Sequence, residues 1–515
     1  MSESRELVEG GALATRREPD RPDSGYGDLQ RVGVLDVGSN SVRLVIFDGA
    51  ARSPTYFYNE KILCGLGASL AETGRLDPEG RRRALKAIRR FSLLARSMGL
   101  EPLNCVATAA VRNAIDGSEF CKDVLDQTGL ALEVASGERE ARLSAQGVLL
   151  GWPDAEGLVC DIGGTSMELA EIANGRIRNC ATSDLGPLAL IRAAGETGLG
   201  KFIGRELKNL RSRVGRRFPV LFLVGGSWRV IARLDMERRN YPLKVLHEYK
   251  MTKSSVIETV KWIRSADLDG LRSGLSISQE RMSLVPIASA VLKSLVRNFD
   301  PEEIAVSSYG IREGLLYDRM PDSLRRRDPL IEACRYMERS AARFPEFGDA
   351  LYEFVLPLFA ERGPERLRLV KAACLLHDTT WRAHPDYRAE ICFDNATRAN
   401  LGGLDHPGRV YLALALFHRY KNSRADAPQL NELAKNLLPP PCILDAEVLG
   451  KALRFGSMFS VSSSLGRGRL AIRPAERSLV FFLPSELKDL YGEVAQSRFH
   501  ALARATNCRP RVETF

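Results

Sequence analysis

The feature that most constrains this chain is a hairpin written twice. VGVLDV, a Gly-Ser-Asn turn and VRLVIFDG read as two strands around a tight bend; 125 residues on, GLVCDI, Gly163-Gly164-Thr165 and SMELAEI repeat the outline. Asp36 matches Asp161, Gly38 matches Gly163, Ser41 matches Ser166 and Leu44 matches Leu169. An internal repeat at this spacing predicts two similar lobes, and 515 residues exceed what one hydrophobic core usually serves.

Between the hairpins, a helical pattern (PEGRRRALKAIRRFSLLARSMG), a strand with a turn (LNCVATAAVRNA) and a second helix (GEREARLSAQGVLLG) alternate as in an α/β protein. VLFLVGGSWRVIARL and EEIAVSSYGIREGLLYDRM each read as strand then helix. From Leu324 the pattern turns helical, with DALYEFVLPLFAERG, RLRLVKAACLLHDTTW and RVYLALALFHRYKN the clearest segments; the stretch from Gly468 reads as two strands and a helix. The expected organisation is a disordered polar tail over 1–30, lobe I over 31–140, lobe II over 141–323, a helical domain over 324–465 and a small α/β domain over 466–515.

Turns of small residues expose backbone N–H and hydroxyl donors in a concave arrangement that suits phosphate oxygens. One such loop is an ordinary strand connection; two, with aspartates in register, make a clamp. The candidate phosphate-binding positions are Gly38, Ser39, Asn40, Ser41, Gly163, Gly164 and Ser166, joined by Gly225, Gly226 and Ser227 at a turn opening a helix, whose amides favour anions. Arg43 and Arg112 follow small-residue turns, where a guanidinium can fork onto phosphate. Asp36, Asp161 and Glu168 offer oxygen ligands to a hard cation such as Mg²⁺. The formal charge of +10 favours polyanionic partners over cations.

With the motifs DVGSNSVRLVI, ATAAVRNA, SGEREARL, DIGGTSMEL, LVGGSWRVIARL and SSYGIREGLL in this order, the chain resembles the exopolyphosphatase and guanosine pentaphosphate phosphohydrolase family of the actin-like, Hsp70 and sugar-kinase superfamily. The resemblance implies two ribonuclease-H-like (actin-like ATPase) lobes flanking a cleft, then a helical HD-like domain and a small α/β terminal domain. It implies that Glu140 is the catalytic base activating water, that Asp161 and Glu168 are metal-associated, and that Asn40, Ser41, Arg43, Arg112, Gly163, Gly164 and Ser166 cradle phosphate. The residues alone read Glu140 as an N-terminal helix carboxylate favoured by the macrodipole. Three departures from the family pattern stand out: Thr165 replaces a glycine, Ser283 replaces an acidic residue two positions after Arg281, and Arg139 adds charge beside the base.

The expected activity is Mg²⁺-dependent release of terminal orthophosphate from inorganic polyphosphate. The alternatives are a guanosine pentaphosphate 5′-phosphohydrolase, an alarmone-binding regulator without turnover, and a kinase of the same superfamily. No nucleic-acid or membrane partner is expected: no stretch approaches the ~18 apolar residues of a membrane span. Ten cysteines without CxxC pairs, and an N-terminus without a signal-peptide core, point to a reducing cytoplasm. A homodimer is expected. His377-Asp378 echoes an HD phosphohydrolase, but between His247 and His377 there is no further histidine to complete a metal shell. The pair is expected to be vestigial or structural.

Overall fold

The computed structural model describes residues 31–48, 52–100, 102–193, 198–215, 217–423, 427–459 and 468–515. The expected tail lies outside them. β1 (Val32–Val37), β2 (Ser41–Phe47), β3 (Tyr56–Leu63), β4 (Asn104–Ala107) and β5 (Glu133–Val134) form a sheet in the order β3-β2-β1-β4-β5. β1 is antiparallel to β2 and β2 to β3, while β4 and β5 join in parallel. The central strands carry apolar residues on both faces because both faces are covered. Leu35, Leu44 and Ile46 share a core with Ile88 and Phe91 of the helix Pro78–Ser97, whereas Val34, Val45 and Phe47 pack with Leu143, Leu150, Leu315 and Leu316.

The second sheet contains β6 (Gly157–Ile162), β7 (Met167–Ala173), β8 (Arg176–Ser183), β9 (Val220–Val224), β10 (Tyr249–Met251) and β11 (Glu303–Val306), ordered β10-β11-β9-β6-β7-β8. Its β8-β7-β6-β9-β11 portion repeats the order and directions of the first sheet, with β10 added antiparallel at the edge. The duplication read from two hairpins thus extends to whole ribonuclease-H-like lobes. The outermost strands of the repeat, β3 and β8, escape the sequence reading because YFYNEKIL and RIRNCATS are largely exposed and show no sustained alternation of apolar and polar residues.

Two helices join the lobes. Gly137–Gly151 passes from the first to the second, and Ile311–Asp318 returns. They cross on glycines: a Cβ at Gly314 would stand 1.8 Å from the Leu143 carbonyl oxygen, and one at Gly147 would stand 2.4 Å from that of Gly310. Only glycine lets the backbones approach this closely.

Beyond Pro329 the chain is mostly helical to Phe459, with Pro364–Leu376, His406–His418 and Pro440–Phe459 at its centre. β12 (Arg469–Arg473), β13 (Ser478–Leu483) and β14 (Arg509–Thr514) form a third sheet beside the helix Glu493–Ala505. This sheet shares the helical region's core, with the Phe455 ring 5.1 Å from Phe481 and 5.2 Å from Phe499. Two strands were expected here; the third, RPRVET, is an exposed edge without apolar alternation. Arg52, fully buried, ties lobe I to the linking helix and to the segment that leads into the helical region by donating to the carbonyls of Leu149, Leu150 and Arg325 at 3.0, 2.6 and 3.0 Å. Among the described residues no helix is long and apolar enough to cross a membrane.

Candidate active site

The two hairpin turns have the same construction. The Gly38 amide donates to the Ser41 carbonyl at 3.0 Å, and the Gly163 amide donates to that of Ser166 at 3.0 Å. Each turn is braced from behind: Cys64, Gly65 and Gly67 amides hold the Asn40 and Ser39 carbonyls, while the Leu188 amide holds that of Gly164. The tips face one another, since a Cβ on Gly164 would lie 3.9 Å from the Ser39 Cβ. The two loops named from sequence are therefore opposed to each other. The third turn joins it at Gly225, whose φ of +115° is glycine territory and whose Cβ would sit 3.1 Å from Asp161 Oδ1. Gly226 and Ser227 then open the helix Gly226–Arg238.

Register turns the duplication into chemistry. Across lobe I, Asp36 pairs with Arg43 and Arg43 with Lys61; across lobe II, Asp161 pairs with Glu168 and Glu168 with Thr182. Laterally paired residues share a sheet face, so equivalent rows present cations in one lobe and carboxylates in the other. Arg312, from the return helix, bonds Asp36 at 2.9 Å. Burial and the charge of Arg312 hold the Arg43 guanidinium below its usual range, and Lys61 is likewise depressed by burial and by Arg281, Arg43 and Arg312. Arg229 is pushed down to about 10 by burial and then by Arg312. This concentration of cations gains from an anion that neutralises it.

Glu140 lies in the first turn of the linking helix, which is capped by the Ser136 hydroxyl accepting from the Arg139 amide at 3.1 Å. A Cβ at Gly137 would meet the Thr182 side chain at 2.5 Å, which seats this helix end on the carboxylate row. Glu140 is only 8% exposed. Burial raises its carboxyl to about 7; Arg112 opposes the rise, and the charges of Asp161 and Asp36 add to it. Arg112 donates to Glu140 and to the Ala135 carbonyl, the latter at 2.7 Å. One turn further along the helix, Ser144 donates to Asp161. Glu168, buried, accepts from Thr182 at 3.3 Å and is pushed well up by burial, then by Glu140 and Asp161. Burial also raises Asp161.

These placements refine the sequence reading. Arg112, expected on phosphate, is paired with Glu140. Asp36, expected on metal, is paired with Arg312, and among the described residues no three His, Cys, Asp or Glu side chains converge to hold a metal ion. The three carboxylates named from sequence are therefore no ready-made metal cage. Arg139 turns away from Glu140 onto Glu133 and Asp318 at 3.1 and 2.8 Å. Ser283 bonds the Glu280 carbonyl within its own helix. The Thr165 hydroxyl is buried without a hydrogen-bond partner in the second loop. Lys61, Ser144, Arg229 and Arg312 went unassigned from sequence. The i, i+4 spacing of Ser144 from Glu140 was a usable signal; the convergence of the basic residues from three elements was not.

His377 and Asp378 stand apart from this cleft. Arg343 grips Asp378 with two bonds of 2.7 Å, and His377 Nδ1 meets the Cys374 carbonyl at 2.8 Å. Burial depresses His377 to about 4. A cavity of about 820 Å³ lies at the opposite ends of β9 and β11, against the helical region. Seven carboxylates and five cations line it, so it is no polyanion site.

Residues 45–323, more than half the chain, match the Ppx/GppA phosphatase family, and residues 330–512 match the exopolyphosphatase C-terminal region. The chain belongs to the Ppx/GppA phosphatase family. Among curated relatives, it is 34% identical over 143 residues to Exopolyphosphatase 1 of Mycobacterium tuberculosis, a match covering 27% of this chain and 42% of that protein. It thus spans less than half the length of that relative. Among solved structures, an exopolyphosphatase from Cytophaga hutchinsonii is 22% identical with a TM-score of 0.50, covering 56% of this chain and 98% of that one. A Ppx/GppA family member from Aquifex aeolicus is 24% identical with a TM-score of 0.49, covering 56% and 96%. The Cytophaga likeness supports the two-lobed fold of this Ppx/GppA member.

Proposed function

We propose that this Ppx/GppA family member is an exopolyphosphatase that hydrolyses the terminal phosphoanhydride of inorganic polyphosphate. The observation that carries the reading is Glu140: a shielded carboxylate, raised to about 7, beside two opposed phosphate-type loops. The hairpin amides and the cations Arg43, Lys61, Arg229 and Arg312 take the oxygens of the chain end. Glu140 accepts a proton from water as the water oxygen bonds to the terminal phosphorus. The bridging P–O bond breaks, its oxygen leaves with the shortened chain, and orthophosphate is released. Positioning and charge neutralisation carry most of the catalysis in such transfers.

Asp161 and Glu168 fit a hard cation: both are oxygen donors raised by burial, and Glu140 and Asp161 crowd Glu168 with like charge. Mg²⁺ commonly uses one or two carboxylates and completes its shell with water and phosphate oxygens, so the lack of a three-carboxylate cage is compatible with it. When bound, Mg²⁺ would supply electrostatic neutralisation of the phosphoryl oxygens.

Its likeness to exopolyphosphatases favours polyphosphate over guanosine pentaphosphate. Ten free cysteines support a reducing, cytoplasmic setting, and we extend the proposal to a homodimer, which sedimentation velocity reads directly. The central test is Glu140→Gln. Phosphate release from long polyphosphate with Mg²⁺ should fall by about 10²- to 10⁴-fold while polyphosphate binding persists. Undiminished turnover would remove Glu140 from its role, and a higher kcat/KM on guanosine pentaphosphate would reassign the substrate.

A further inference from the structure

The cavity of about 820 Å³ between lobe II and the helical region has an unbalanced wall. Seven carboxylates and five cations line it, but most of the cations are already committed. Lys250 pairs with Glu303 at 3.0 Å, and Arg368 holds Asp328 at 2.9 Å and Glu365 at 3.5 Å. Arg366 and Arg327 turn to carboxylates outside the cavity, Asp445 at 3.4 Å and Glu332 at 3.3 Å. Arg326 is left, and it is exposed. Against it stand Asp154, Glu156, Glu248 and Asp405, which make no ion pair among the described residues.

Glu248 decides what this imbalance means. It is 4% exposed; one carboxylate oxygen accepts from the Leu404 amide at 2.8 Å, and the other has no hydrogen-bond partner among the described residues. Glu248 directly precedes β10 of lobe II, whereas Leu404 belongs to the helical region, so their bond joins the two walls. Burial raises the Glu248 carboxyl to about 7; Arg409 opposes the rise and Asp405 adds to it. Arg409 makes no ion pair, since it spends its donors on the carbonyls of Thr397, Ala399 and Leu401 at 3.3, 2.8 and 2.8 Å. Asp405 caps the helix His406–His418, accepting from the Gly408 amide at 2.8 Å. A buried carboxylate without a counter-ion is costly, and a cation entering from the cavity removes that cost.

The carboxylates come from three separate segments, at 154–156, 248 and 405, and among the described residues no three ligating side chains converge on one metal ion. Between them the wall carries the apolar surfaces of Trp152, Phe222, Leu369, Leu404 and Pro407. Separated positive charges on a methylene chain match both features, the ammonium groups donating to carboxylates and the chain covering apolar surface. The volume is that of an ordinary small-molecule site. We propose that this cavity binds a linear aliphatic oligoamine, with its ammonium groups on Glu248, Asp405, Asp154 and Glu156. The bound amine bridges lobe II and the helical region, whatever chemistry the cleft performs.

The test is isothermal titration of the full chain with spermidine, in the absence of polyphosphate and Mg²⁺, which should show one site per chain. Glu248→Gln, which keeps an acceptor for the Leu404 amide, should weaken it about 10- to 100-fold, the loss of one charge-assisted contact. The double variant Asp154→Asn, Glu156→Gln should weaken it as well; both positions are exposed, which guards against a folding defect in the first variant. Spermidine should raise the melting temperature of the parent more than that of Glu248→Gln. Equal isotherms for the parent and both cavity variants would overturn the site. Binding lost in Glu140→Gln but kept in the cavity variants would also overturn it, by placing the amine in the cleft between the lobes. A tetralysine peptide bound more tightly than spermidine would assign the cavity to a basic protein segment instead.

Discussion

Glu140 shows how a side chain with an ordinary local role comes into an unusual environment. In sequence it is a first-turn helix carboxylate; in the folded chain it is enclosed by the lobe II row and held by Arg112. Because burial raises its pKa to about 7, the ionised carboxylate is the minor form below that pH. On the proposed function, kcat/KM for polyphosphate should therefore rise with pH through about 7 and level off above it. Arg112 acts against that rise, so Arg112→Ala should move the midpoint to higher pH in addition to weakening activity, as a pH–rate profile will read. An unmoved midpoint would mean that Arg112 does not act on the base.

At the scale of elements, the crossing of two helices on glycines sets the distance between the lobes. Gly314→Ala would force its Cβ onto the Leu143 carbonyl, 1.8 Å away. Backbone must shift to admit it. We expect about 1–3 kcal/mol of lost stability, read as a lower denaturant midpoint, together with reduced phosphate release because the linking helix that Gly314 presses on carries Glu140. His377 provides the contrast. It is buried and bonded within the helical region, away from the hairpins, so His377→Ala should lower the melting temperature and leave the rate of phosphate release nearly unchanged. Abolished activity in a folded variant would restore a catalytic part to the His-Asp pair.

At the scale of the whole molecule, lobes and helical region are fastened by buried polar contacts. Arg52 satisfies three carbonyls, Tyr241 meets His406 at 2.9 Å, and the Leu404 amide donates to Glu248 at 2.8 Å. Arg52→Met would orphan those three carbonyls at a cost of about 3 kcal/mol or more. Chemical denaturation should show either a lower midpoint or a separate early transition for lobe I, which Arg52 ties to the linking helix. An unchanged, single transition would show that the apolar contacts alone hold the parts together.

The repeat of DVGSNS and DIGGTS carried the two lobes and their paired turns because strand periodicity and small-residue turns are local properties, legible without a partner. The central strands and the long helices followed for the same reason. β3, β8 and β14 did not, since exposed edge strands need little apolar patterning. What only tertiary structure decided is which charges meet: that equivalent rows of the duplicated sheets carry Arg43 and Lys61 in one lobe and Glu168 in the other, that Arg312 takes Asp36, and that Arg112 holds Glu140. Electrostatic partnership depends on distance through space and on burial, and neither is written in the spacing of residues along the chain.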